Sequence, residues 1–206
     1  MPYLNKPTPV PEPLDCRILT AALDLFVRVG YHSVSVHDIQ KEADVSIGSI
    51  YKYFDGKRGV AEALYNHILG EVEELFDNIL QDHETALDRS SAIIRSLFEH
   101  TETHPNIIAY LFNTKHSDFM PDMKPICDSS PFQTMRGIVE QGMESGEFYR
   151  ANTWIAASSI FGVMSRMIQL RLDGMIEQPL PELAEETILQ IRRGIEAVPV
   201  ALGKTA

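Results

Sequence analysis

The chain reads as an all-α protein of about nine helices, and three observations lead there. Apolar residues recur three and four positions apart, with no run that alternates as a half-buried strand would. Pro105 stands where a helix begins and Gly146 where one ends. Near the N-terminus, two short helical patterns flank a three-residue break, the layout of a helix-turn-helix.

Residues 1–13 carry Pro7, Pro9, Pro11 and Pro13 and are expected to form a flexible, extended arm. Residues 14–60 form the helix-turn-helix domain. Ser35 precedes a stripe of Val36, Ile39 and Ala43 and can cap the bracing helix by accepting from orphaned N–H groups. Asp44-Val45-Ser46 breaks that helix: Asp44 tolerates a left-handed backbone, and Ser46 can cap the next helix. That second helix, Ile47 to Phe54, sets Ser49, Tyr51, Lys52 and Tyr53 around a single inward Ile50. A helix that spends its surface on hydroxyls, phenols and an ammonium suits a polar partner, and duplex DNA fits best.

After Phe54 the period stays helical. A connecting helix is expected over 57–80, with Val60, Leu64, Ile68, Val72, Leu75, Phe76 and Ile79 on one face. Helices over 84–103 and 105–115 come next, then a Pro-containing loop or broken helix over 117–131. One more helix runs to Gly146, and two span about 152–174 and 181–198.

Of the chain's 206 residues, 44% are hydrophobic, enough for a sizeable core, and no apolar run reaches the ~18 residues of a membrane helix. The N-terminus lacks the charged-then-apolar order of a signal peptide, so a cytoplasmic protein is expected, with no membrane partner. Cys16 and Cys127, in different domains, are read as unpaired thiols. The net charge of −11 argues at first against DNA, but residues 1–60 hold seven basic and seven acidic side chains. The whole excess therefore lies in residues 61–206, which would repel DNA and turn the neutral end toward it.

About 45 residues, from Asp15 to Val60, resemble the tetracycline-repressor (TetR) family of bacterial transcription regulators. The match runs through Arg17-Ile18-Leu19, Ala22, Phe26, Gly30-Tyr31, Ser35-Val36-His37-Asp38-Ile39, Val45 to Phe54 and Lys57. The chain departs at Asp44, where the family has a small glycine, at Gln40, where it has alanine, and at Arg58-Gly59-Val60. The resemblance implies that Ser35, Tyr51 and Lys57 meet phosphates and that Ser46, Ile47, Gly48, Ser49 and Lys52 lie on the recognition helix. His37 would reach a base or phosphate, and Tyr53 would pack on sugar and phosphate.

The last two helices suggest a homodimer, with Trp154, Ala157, Phe161 and Met164 on one and Leu183, Ile188, Ile191 and Ile195 on the other. A two-fold pair of recognition helices suits a near-palindromic double-stranded operator. Seven of the eight methionines lie beyond residue 115, a soft set suited to a small, largely hydrophobic effector. The candidate pocket comprises His100, His104, Tyr110, Phe112, Asn113, His116, Phe119, Met120, Met123, Phe132, Met135, Met164 and Met167. His100 and His104 are one turn apart, but no third metal ligand stands at clear spacing, so neither metal nor cofactor is expected. No phosphate loop, nucleophile elbow or Cys-His constellation marks an enzyme. The expectation is a repressor that leaves its operator when the effector binds. The second reading is a helix-turn-helix adaptor for a protein partner, which the acidic body and Asp44 favour and Tyr51, Lys52 and Lys57 oppose.

Overall fold

Helix α1 (Leu14–Val29) turns Ile18, Leu19, Ala22 and Phe26 inward and stops at Gly30, whose φ of +80° glycine adopts without strain. The computed structural model describes residues 2–4, 6–114, 116–120 and 128–196. A 3₁₀ turn (Tyr31–Ser33) leads to α2 (Val36–Ala43) and α3 (Ile47–Phe54), and with α1 these make a three-helix head.

Helix α4 (Lys57–Asp82) starts under the head and runs about 39 Å into the body at 1.5 Å per residue. All seven residues of its expected apolar face are buried. The body continues with α5 (Ala86–Thr103), α6 (Pro105–Asn113), a 3₁₀ turn (His116–Asp118) and α7 (Ser130–Ser145). Gly146 ends α7 in the left-handed region. Then α8 (Thr153–Ala157), a π-helical turn (Ser158–Gly162) and α9 (Val163–Leu172) run on with unbroken helical backbone angles, and α10 (Leu180–Ile195) closes the body against α5. With α8, the π-turn and α9 counted as one rod, the described residues hold nine helices and no strand. A single antiparallel bridge joins Phe148 to Glu196.

Two ties set the geometry of the body. Arg171 donates to both oxygens of Glu102 (2.8 and 2.9 Å) and to the carbonyls of Ile176 and Glu177, while the Leu180 N–H donates to Glu102. The turn between α9 and α10 is thus pinned to the end of α5, and the guanidinium holds the Glu102 carboxyl below its ordinary range. Helix α1 packs on both α4 and α6, so head and body share a wall.

The arm departs from expectation. Leu4 is buried, its N–H donates to the buried Glu71 carboxylate on α4 (3.0 Å), and Lys6 pairs with Glu74 (2.7 Å). The Tyr3 ring meets the edge of His67, which contacts the Pro2 carbonyl at 3.0 Å. A carboxylate inside the fold needs a donor, and Leu4 supplies one, so residues 2–4 and Lys6 lie as a strap along α4, while the proline-rich stretch over 7–13 stays mostly exposed.

The dimer face also needs correction. Phe161, Met164, Ile188, Ile191 and Ile195 point into the chain's own core, each at most 7% exposed. The outward residues are Trp154, Ile155 and Val163 on the α8–α9 rod and Leu189 on α10. Of the expected interface, Trp154 does look outward and Ala157 and Leu183 are half-buried, while the other five are core: both faces carry apolar residues, and their spacing alone does not say which looks inward. Cys16 is a buried free thiol, and Cys127 lies outside the described residues.

Gly59, in the first turn of α4, has no room for a side chain, because a Cβ would fall on the carbonyl oxygen of Phe54 at the end of α3. Gly59→Ala is expected to cost about 3 kcal/mol and lower the midpoint of thermal unfolding by roughly 6–12 °C, read by circular dichroism.

Candidate nucleic-acid interface

The outer surface of the head is built from its helix ends. Ser35 and Asp38 form a reciprocal capping box: the Asp38 N–H donates to the Ser35 hydroxyl oxygen (3.2 Å), and the Ser35 N–H donates to the Asp38 carboxylate (2.8 Å). The Ser35 hydroxyl also donates to that carboxylate (2.6 Å), and this bond, with the one from the Ser35 N–H, holds the Asp38 carboxyl below its ordinary range. Asp44 ends α2 with φ +50°, as its residue type allows. Arg17 of α1 donates to the carbonyls of Ala43 (2.6 Å) and Asp44 (2.8 Å) and reaches the Asp44 carboxylate at 3.4 Å. The negative charge that stands in place of the family's glycine is thus met by a guanidinium from the neighbouring helix.

Ser46 caps α3 by accepting from the Ser49 N–H (3.1 Å), and the two hydroxyls bond at 2.8 Å. The helix is anchored by Ile50, which is fully buried. Ile47, Gly48, Tyr51, Lys52 and Tyr53 are all exposed, Tyr51 and Tyr53 by about half, so neither tyrosine serves as a core aromatic. Lys52 lies 5.7 Å from the Tyr53 ring. His37 and Ser35 open to the same solvent from the start of α2. A helix of eight residues with one buried anchor and this polar outer surface can enter a major groove without unfolding anything else.

Lys57 is placed differently from the sequence reading. Its ammonium turns inward, donates to the carbonyls of Tyr31 (3.0 Å) and Val34 (2.7 Å), and sits 4.1 Å from the centre of the Tyr31 ring. Desolvation lowers its pKa. Two of its three protons are spent on the connection between α1 and α2, so its first role is to hold the start of α2 in place.

Tyr31 carries a second contact. Phe119 of the body stacks on it at 4.0 Å and 13°. A parallel ring and an ammonium at these distances cannot share a face, so Tyr31 is held from both sides. Phe119 in turn neighbours His116, which is enclosed by Tyr65, Tyr110 and Phe119 at 4.7–6.0 Å. Among the described residues the His116 Nε2 has no hydrogen-bond partner, and burial pulls its pKa down to about 4.

The expected effector residues are thus divided among several places. Tyr110, His116 and Phe119 meet under the head. His100 and His104 touch each other at 3.3 Å near the corner of α5 and α6. Phe112 faces Phe132 at 6.5 Å. Met120, Met135 and Met164 are buried, Met167 is half-buried, Asn113 is exposed, and Met123 lies outside the described residues. Among the described residues no group of three or more His, Cys, Asp or Glu side chains could hold a metal ion. Sequence reasoning missed the Asp38 half of the capping box, though Ser-x-x-Asp was there to read, and it missed Arg17 and Tyr31 as supports, which no local pattern marks.

Residues 18–64 match the family model for bacterial regulatory proteins of the tetR family. The fatty acid metabolism regulator protein of Bacillus subtilis is 24% identical over 161 residues, covering 76% of this chain and 82% of that protein. An uncharacterized HTH-type transcriptional regulator of the same organism, YvkB, is 25% identical over 197 residues, covering 90% of this chain and 99% of its own length. Among solved structures, the fatty acid degradation regulator FadR from Bacillus halodurans superposes with a TM-score of 0.77 at 18% identity, covering 88% of this chain and 96% of that one. FadR from B. subtilis in complex with stearoyl-CoA gives 0.76 at 22%, covering 87% and 98%. These likenesses establish a shared fold across head and body.

The neutral, enclosed His116 makes the fold acid-sensitive. With an ordinary value near 6.5 in the unfolded chain and about 4 when folded, the unfolded state binds the extra proton between those limits. Stability attributable to this group is complete above pH 6.5 and falls as pH drops toward 4, by about 2 kcal/mol. His116→Phe is expected to flatten that part of the profile, measured by urea unfolding at pH 7.0 and 4.5.

Proposed function

The chain belongs to the TetR family of bacterial transcription regulators, and from that premise we propose that it is a dimeric, operator-binding repressor released by a largely hydrophobic effector. That it is a DNA-binding transcription regulator comes with the family. One observation carries the operator contacts: α3 keeps Ile50 and Phe54 for the fold and turns Ile47, Gly48, Tyr51, Lys52 and Tyr53 outward.

In this reading Ser35, Tyr51 and Tyr53 position the head on phosphates and sugars, while Ser46, Ile47, Gly48, Ser49, Lys52 and His37 face the groove. The Ser46 and Ser49 hydroxyls, already bonded to each other, keep only their remaining capacity for DNA. Lys57 supports this surface from beneath. The dimer forms through Trp154, Ile155, Gly162 and Val163 of the α8–α9 rod and Leu189 of α10, large apolar side chains and one exposed glycine that would otherwise face water. A fatty acyl group is the effector class we favour. The stearoyl-CoA bound by a relative of the same fold and the fatty-acid roles in several relatives' names support it. Its entry requires the body to open, since Phe98, Tyr110 and Met164 are fully buried in the present packing.

Selection from random duplexes is expected to return a near-palindrome. Tyr51→Ala and Lys52→Ala should each weaken binding by about 1–3 kcal/mol with the fold intact. Tyr51→Ala should act on all sequences alike and leave the salt dependence nearly unchanged, because a neutral phenol displaces no counterion, whereas Lys52→Ala should relax preference at one base pair and lower the salt dependence. A folded protein that enriches no sequence would favour the protein-adaptor reading. Val163→Glu, which places a carboxylate in the outward face, should shift the chain from dimer to monomer by light scattering. A variant that stays dimeric places the interface elsewhere.

A further inference from the structure

Between the head and the body lies a cleft of about 650 Å³, walled by the end of α1 and Tyr31 on one side and by α6 with the end of α9 on the other. Phe26, Tyr31, Ala109, Asn113, Thr114 and Leu172 define it. It falls within the range of small-molecule sites, about 300–1,000 Å³. Among the described residues, none that lines it is charged. We propose that this cleft is a binding site for a small, uncharged, planar molecule with a hydrogen-bonding edge, distinct from any effector site within the body.

The lining argues for that chemistry. Both faces of Tyr31 are already covered by Phe119 and Lys57, so the ring offers the cleft its edge, beside Phe26 at 5.3 Å. Edges of two aromatic rings, with Ala109 and Leu172 opposite, suit a flat apolar body. The Asn113 amide and the Thr114 hydroxyl line the cleft, groups that can bond a carbonyl or hydroxyl. Gly30 leaves the head side open: a Cβ there would meet nothing within 4 Å. An anion would lose water here without gaining a counter-charge, and the carboxylate nearest the cleft, that of Asp24, is already bonded to Asn106, so a neutral ligand fits best.

At one end of the cleft Asn106 of α6 donates to the Asp24 carboxylate of α1 (2.7 Å), the cross-tie that a ligand would reinforce. Because the ligand touches head and body together, its affinity depends on the angle between them. Ligand and operator then change each other's affinity by the same factor. That coupling rests on the operator-binding reading, whereas the site itself does not.

Nile red, an uncharged planar fluorophore with a carbonyl edge, is the probe, titrated into the full chain and followed by its emission. Saturable binding of one dye per chain is expected. Ala109→Trp, which fills the cleft, should weaken it by about tenfold, or about 1.4 kcal/mol, and Asn113→Ala with Thr114→Val should weaken it several-fold. Anionic anilinonaphthalene sulfonate should show no dependence on Ala109→Trp. Absence of saturable Nile red binding, or binding that all three substitutions leave unchanged, overturns the site. Should Ala109→Trp fail to fold by circular dichroism, the double variant decides alone. Saturating dye should also shift operator affinity about fivefold or more in the wild type and not in Ala109→Trp. Unshifted affinity withdraws the coupling alone, and a wild type that binds no operator counts against the DNA reading and leaves the site standing.

Discussion

The ammonium of Lys57 is the contact on which the head depends. It lies in the first turn of α4, yet it holds the carbonyls of Tyr31 and Val34, which belong to the passage between α1 and α2. The start of α2, and with it the Ser35–Asp38 box, is therefore referred to α4. Such charge-assisted bonds, partly shielded from water, are stronger than neutral ones, and removing the lysine would leave two carbonyls short of a donor. Arg17 does the corresponding service at the other end of α2, so the bracing helix is held at both ends by cations from its neighbours.

The head also answers to the body. Tyr31 sits between Lys57 and Phe119, and Phe119 belongs to the turn after α6. A change around His116 thus has a short route to the carbonyls that place α2, through ring contacts and one cation. On another side of α4, Leu4 and Lys6 of the strap are tied to Glu71 and Glu74. Head orientation is therefore set from several directions, through small contacts that can be rearranged separately.

The helix-turn-helix was legible because its signals are local. Ser35 and Ser46 each cap the helix they precede, Asp44 takes the left-handed turn, and Ile50 is the fully buried anchor of α3. The long face of α4 was legible for the same reason, through its period. Choices settled by distant neighbours were not legible in this way. Lys57 looked like a surface cation until the fold supplied carbonyls 23 and 26 residues away. The rod before α10 is apolar on two faces, and only packing against α5 and α6 decided which one is the core. The arm's proline content suggested freedom throughout, but a buried glutamate on α4 gave Leu4 a place.

The π-helical turn at Ser158–Gly162 has a consequence for how the rod tolerates change in length. Such a turn accommodates one residue more than an α-helical turn would, a surplus absorbed without breaking the backbone. An α-helix advances about 100° per residue, so one extra residue in a plain helix would swing everything downstream by more than a quarter of a revolution. The wider turn takes up the extra residue within one revolution, so Val163 keeps its bearing relative to Trp154 and Ile155. Loss of one residue there would restore plain α-helix with both halves of the outward face still looking the same way. Loss of one residue from the plain helix on either side would part the two halves and change the partner they accept.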